Sequence, residues 1–233
     1  MSKPRSLTPE RRSFLTRLNT GAASLLGLAA GGVALAQVKT PAAKWEPARH
    51  EKDDWLDQTQ AKHRMLFDTT TPENFADAIT FASNFLRANL DAYGVRADEL
   101  SIVIVARHRS APFGYNDAMW AKYGMPLAAR AKVDDPKTRL PPKMNLFNAA
   151  GYGDILGSRG TTLDVLAQQG VQVAVCSLST RAYAGVIAGA MGGNADAIFA
   201  EITSNLVAKG RMVPAGIVTV NRAQERGYTL TVG

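Results

Sequence analysis

From residue 64 onward, short apolar runs alternate with longer segments whose apolar positions recur at helical spacing. "RMLFDT" (64–69) is a strand-length apolar run. "TPENFADAITFASNFLRANLDAYG" (71–94) then places Phe75, Ala78, Ile79, Ala82, Phe85, Leu86 and Leu90 on one stripe, with Pro72 at the start and Gly94 at the end. That is the signature of one long amphipathic helix. "LSIVIVARH" (100–108) is a β-branched run, as expected of a strand covered on both faces in a parallel sheet. A short helix is expected from Asn116 to Tyr123, and residues 124–147, with Pro126, Pro136, Pro141 and Pro142, read as a long irregular loop. "TTLDVLAQQG" predicts a helix ending at Gly170, "VQVAVC" (171–176) a buried strand, and helices follow near 179–190 and 194–208. The tail "VPAGIVTVNRAQERGYTLTVG" predicts a strand over 214–220, a turn of helix carrying Gln224 and a terminal strand from Tyr228.

Strands joined by helix-length connections call for an α/β fold, a doubly wound and mainly parallel sheet of about five strands with helices on both faces. The 233 residues suffice for one sizeable core. Residues 37–62 are polar, with Pro41 and Pro47, and read as an N-terminal arm tied to the domain by Trp45 and Trp55, with a helical turn near 53–58. The domain proper is expected over 63–233.

The formal charge of +7 suggests a nucleic-acid or membrane partner until its location is considered. "LTPERRSFLTRLNTGAASLLGLAAGGVALAQ" has a basic front with Arg11 and Arg12 before Phe14 and Leu15, a mildly apolar middle interrupted by glycines, and a small-residue close at Ala34-Leu35-Ala36. This order reads as a twin-arginine export signal over 1–36, cleaved after Ala36, with an uncleaved anchor as the alternative. It holds five of the 27 basic residues and one of the 20 acidic ones, leaving 22 against 19. The expected location is the periplasm, with membrane contact only through the signal and no nucleic-acid partner, since phosphate binding requires a concentrated cationic face.

In open sheets of this kind the functional crevice lies beyond the carboxyl ends of the strands. Asp68, the trio Arg107, His108 and Arg109, and the only cysteine, Cys176, all fall there. A thiol at the start of "SLSTRAYAG" stands at a helix N-terminus with Ser177 or Ser179 as cap, where backbone N–H groups and the helix dipole favour a thiolate. Arg107, Arg109, Arg181 or a protonated His108 would add positive charge. The same residues fit a plainer description: a lone cysteine after Val-Ala-Val is a small buried hydrophobe, and His108 orients a loop. One cysteine allows no internal disulfide, and His50 and His63 lack ligand spacing, so neither a metal site nor a cofactor is expected. "GYGDILGSRG" (151–160) matches neither the dinucleotide fingerprint nor a phosphate loop. "FGYNDAMWAKYG", with Phe113, Tyr115, Trp120 and Tyr123, reads as core or subunit interface.

From His63 to Val232 the chain resembles the DsrE/DsrF-like family, small α/β proteins of sulfur oxidation and sulfur relay. The resemblance is carried by "ASNFLRANLDAYG", "LSIVIVARH", "GVQVAVCSLS" with its terminal cysteine, and "VPAGIVTVNRAQERGY". It implies homo-oligomerisation and, in the sulfur-transferring members, a cysteine that accepts sulfane sulfur as a persulfide, here Cys176. The expected partner is a sulfur donor or acceptor, either a protein or a small sulfur compound. Two departures stand beside it: the export signal, where the relay systems are cytoplasmic, and the Pro-rich loop before Leu146. Three roles follow for testing: a sulfur carrier using Cys176 with Arg107 and His108, and Arg109, Arg181 and Ser177 holding the anion; a non-catalytic oligomeric module whose crevice is lined by Arg107, His108 and Tyr115; and a thiol redox sensor.

Overall fold

The computed structural model describes residues 45–57 and 61–232. The export signal lies outside the described residues, as does the arm as far as residue 44. Five strands, β1 (His63–Thr69), β2 (Leu100–Ala106), β3 (Gln172–Cys176), β4 (Gly210–Val213) and β5 (Thr229–Val232), form one sheet in the order β4-β3-β2-β1-β5. Every neighbouring pair is parallel. The α/β class, the strand number and the parallel sense are as the hydrophobic pattern predicts.

All seven residues of the central strand β2 are buried, because both faces of the sheet are covered there. One face carries α1 (Pro72–Tyr93), α2 (Asp117–Ala131), the short α3 (Gly153–Leu156) and α4 (Leu163–Gln168), then α5 (Ser177–Met191) and α6 (Ala195–Thr203). Phe67, Ile102, Ile104, Val173 and Val175 meet Phe75, Phe113, Trp120, Leu166, Tyr183 and Ile202 in its core. The opposite face is covered by α7 (Gly216–Gln224) and a 3₁₀ segment (Glu51–Leu56). There Leu66, Val103, Val105 and Ala174 pack with Trp55, Leu56, Val220 and Ala223.

Local chemistry sets the helix limits. Thr71 caps α1 by accepting the Asn74 N–H at 3.2 Å, Pro72 opens the first turn, and Gly94 ends it at φ 63°. Trp55 anchors the arm from within the same compact unit, which begins at Glu46. Tyr228 donates to the Leu56 carbonyl at 2.9 Å and pairs with Ser101 at 2.6 Å, tying the arm, β2 and the approach to β5 together. Trp45 is exposed.

Two expectations are corrected. Residues 214–220 are not a strand: β4 lies earlier, over "GRMV", and "GIVTVNRAQ" is α7. The buried positions of α7, Gly216, Thr219, Val220 and Ala223, follow helical spacing, while Ile217 and Val218 stay 58% and 39% exposed. The β-branched run therefore misleads because burial on one helical stripe outweighs local strand preference. The helix expected to end at Tyr123 continues to Ala131 through Pro126. Pro126 offers no N–H to the Lys122 carbonyl, yet it is buried, and packing carries the helix through. Gly124 is required beside it, since a Cβ there would collide with the Pro142 carbonyl oxygen.

Candidate functional site at the carboxyl edge of the sheet

Connections from β1, β2 and β3 leave over one face, whereas the connection from β4 leaves over the other through α7. The sense of winding therefore reverses between the carboxyl ends of β3 and β4. Chains that diverge there open a crevice at the switch point. Cys176 is the last residue of β3 and pairs with Val213, the last of β4, so the single thiol stands at this point.

The register brings two more side chains alongside. Asp68 pairs with Val105, and Ala106 with Val175, which sets Arg107, still extended at φ −139° and ψ 165°, level with Cys176. Strand alternation turns Asp68, Arg107 and Cys176 to the face that α7 covers. Arg107 donates from Nε to Asp68 Oδ1 at 2.8 Å and from Nη2 to Oδ2 at 2.7 Å, a two-pronged pair with side chains only 27% and 10% exposed. The Asp68 hydrogen bond holds the Arg107 guanidinium above its ordinary pKa, against burial, and the electrostatic influence of Asp68 and of the nearby Cys176 sulfur adds to it. Arg107 is thus a fixed cation within electrostatic range of the sulfur. Its backbone N–H is taken by Ser110 Oγ at 3.0 Å. Gly216 opens α7 against its stem: a Cβ on Gly216 would sit 2.8 Å from both Cβ and Cδ of Arg107.

Cys176 is itself the N-cap of α5. Its sulfur accepts the Ser179 N–H at 3.4 Å, a wide but acceptable distance for sulfur, and its carbonyl accepts from Thr180 Oγ1 at 3.0 Å. Tyr115 donates to that Thr180 hydroxyl at 2.9 Å, and Ser179 Oγ accepts the His108 N–H at 2.8 Å. His108 adopts φ 56°, a left-handed conformation uncommon outside glycine, so that the chain turns sharply after Arg107 and hands its N–H to α5. The thiol therefore meets a 15-residue helix at its positive end, with a positioned guanidinium on the neighbouring strand.

The expected site residues separate into two groups. Cys176, Arg107 and His108 converge, His108 through its backbone while its side chain is exposed. Of the two descriptions open for Cys176, the structure gives the buried position: it is 5% exposed, because β3 ends beneath the starts of α5 and α7. Ser177 is the first residue of α5 rather than its cap, the cysteine having taken that place. Arg181 turns away, pairing with Asp196 at 3.3 Å and lying over the Phe199 ring at 4.0 Å. Arg109 gives its N–H to the Thr70 carbonyl at 3.0 Å, and its guanidinium acts on Glu73 and Tyr183. Tyr115 is fully buried and lines no crevice. Two contributors, Gly216 and the Ser179 N–H, were not anticipated, the first because the β-branched run that follows it reads as a strand.

Among the described residues no three His, Cys, Asp or Glu side chains converge as a metal would require. A cavity of about 570 Å³ lies at the amino edge, where Lys62, Arg64, Phe85, Tyr93 and Thr229 line it. Its lining, which includes His63, holds no cysteine, and the thiol lies at the carboxyl edge. Comparison of the chain with protein-family models, with curated proteins and with solved structures finds no match.

Proposed function

We propose that this protein handles sulfane sulfur through Cys176, in the manner of the DsrE/DsrF-like proteins it resembles. The observation that carries the reading is the position of the sulfur: at the sheet's switch point, accepting a helix N-terminal N–H and facing an arginine fixed by a carboxylate. Such a setting offers a hydrogen bond and a nearby positive charge to a sulfur that attacks or carries sulfane sulfur. The Cys176 thiolate attacks the outer sulfur of a donor R–S–S⁻, the donor S–S bond breaks, and R–S⁻ leaves while Cys176 retains –S–S⁻. An acceptor thiolate then attacks the outer sulfur, forming the acceptor persulfide and restoring the Cys176 thiolate. Each exchange conserves charge and needs no external oxidant. Arg107 offsets the negative charge throughout, and the turn at His108 positions Ser179.

The reading extends to location and assembly. The twin-arginine order of residues 1–36 supports export to the periplasm, where the donor or acceptor is a protein or small sulfur compound and the chain works as a homo-oligomer. The burial of Cys176 favours a second reading, a non-catalytic module in which the cysteine only fills space and caps α5. Cys176→Ser separates them. Under the first reading, incubation of the full chain with polysulfide adds sulfur to the wild type and not to the variant. Under the second, neither protein takes up sulfur and the variant loses only stability.

A further inference from the structure

The chain order leaves one side of the last strand without a helix of its own. α1 to α6 belong to the connections that leave β1, β2 and β3, so they cover the sheet from β1 toward β4, whereas β5 lies beyond β1. The helix that leads into β5 is α7, on the other face. Met65 and Phe67 face α1, and strand alternation turns their register partners Thr229 and Thr231 the same way. The result is a groove between α1 and β5. Phe81, Phe85 and Tyr93 border it, four or eight residues apart on one stripe of α1; Phe81 is 43% and Tyr93 77% exposed. Apolar side chains left in water beside polar ones mark a surface that meets a ligand.

At the amino edge the groove deepens into the cavity of about 570 Å³, walled by Met65, Phe85, Tyr93 and Thr229. That volume lies within the range of about 300–1,000 Å³ usual for small-molecule sites. The cavity is open to solvent, since Tyr93 on one wall and Thr229 on the other are both exposed. Lys62, His63 and Arg64 complete the lining, and among the described residues no carboxylate takes part in it. The acids nearby are already shared. Asp57 serves the guanidiniums of Arg49, Arg64 and Arg226 at 3.4, 3.3 and 2.8 Å. Glu99 holds Lys62 at 2.7 Å and also accepts the Arg96 N–H, while an ammonium carries three donors. One end of the cavity is therefore cationic and the other apolar.

We infer that this cavity binds a small amphiphilic carboxylate, with its acid group against Lys62 and His63 and its hydrocarbon part against Met65, Phe85 and Tyr93. An anion without an apolar tail would leave those walls wet, and a neutral amphiphile would leave the cationic end uncompensated. The site lies at the opposite edge of the sheet from Cys176, so it holds no reacting atom and does not depend on the thiol.

Isothermal titration of the full chain with sodium octanoate, below its micelle-forming concentration and at ionic strength held constant with sodium chloride, tests the site; 1-octanol serves as the neutral counterpart. Saturable octanoate binding is expected, with octanol and the double variant Lys62→Gln, His63→Gln each weaker by about tenfold, the worth of a hydrogen bond to a charged group. Tyr93→Ala, which removes apolar wall, is expected to weaken octanoate several-fold. Lys62, His63 and Tyr93 are all exposed, so these changes leave the core intact. Lys52→Gln, in the basic depression on the α7 side, and Cys176→Ser are expected to bind as the wild type does. Absence of saturable heat, octanol binding as tightly as octanoate, or equal affinity in the wild type, the double variant and Tyr93→Ala would overturn the inference whether or not Cys176 proves reactive. So would a dimer in sedimentation velocity that excludes octanoate and is dissociated by Tyr93→Glu, which would give the groove to a second copy of the chain.

Discussion

Replacing Asp68 by Asn keeps the shape of the residue that fixes Arg107 but removes its charge, and its amide nitrogen cannot accept from Arg107. Of the two bonds, at 2.8 and 2.7 Å, one survives as a neutral-acceptor bond and one is lost. A hydrogen bond to a charged group contributes about 1.5–3 kcal/mol, and stranding a fully buried charge costs about 3–5 kcal/mol. Arg107 keeps 27% of its side chain exposed, so water rehydrates part of the guanidinium and the expected loss settles at about 2 kcal/mol. With a urea slope near 2 kcal/mol per molar, the unfolding midpoint falls by roughly 1 M at unchanged slope. A double-mutant cycle with Arg107→Met, which keeps an apolar stem against Gly216, isolates the pair, and the coupling is expected at about 2 kcal/mol. A coupling under about 0.5 kcal/mol, the range of exposed surface pairs, would refute the view of Arg107 as a fixed cation.

Gly216→Ala, favourable by helix propensity alone, is expected to destabilise by about 1–2 kcal/mol because its Cβ enters the Arg107 stem, and to lower sulfur loading of Cys176; urea unfolding and intact mass read the two effects. Asn145→Ala removes the buried amide that donates to the Phe113 and Tyr115 carbonyls at 2.8 and 2.9 Å, so the thermal midpoint should fall with a loss of about 3 kcal/mol. Burial raises the phenols of Tyr115, Tyr183 and Tyr228 above their ordinary value. The unfolded chain loses these protons first, so the contribution is intact below about pH 10 and stability falls above it, by up to about 1.4 kcal/mol per tyrosine per pH unit. Unfolding followed from pH 9 to 11 should show this decline, and a flat profile would contradict it.

The buried strands β1, β2 and β3 were legible because a parallel sheet covered on both faces leaves an unbroken apolar run, and α1 because Pro72 and Gly94 mark its limits. β4 was hidden by its edge position: "GRMV" is too short and too mixed to stand out, while the β-branched "GIVTV" beside it belongs to a helix with Ile217 and Val218 in solvent. The carboxyl-edge placement of Asp68, Arg107 and Cys176 followed from strand ends alone. Their common face required the register, which sequence spacing does not contain. The direction taken by Arg181 depends on where α6 packs, and the burial of Cys176 depends on α7 starting at Gly216, so neither could be read from neighbours in the chain.

The central claim is that Cys176 accepts sulfane sulfur despite its cover. Intact-mass measurement of wild type and Cys176→Ser, each folded and incubated with polysulfide, tests it most directly. The wild type is expected to gain about 32 Da, one sulfur atom, reversed by a thiol reductant, with no gain in the variant. An unchanged wild-type mass, or the same gain in both proteins, would contradict the account.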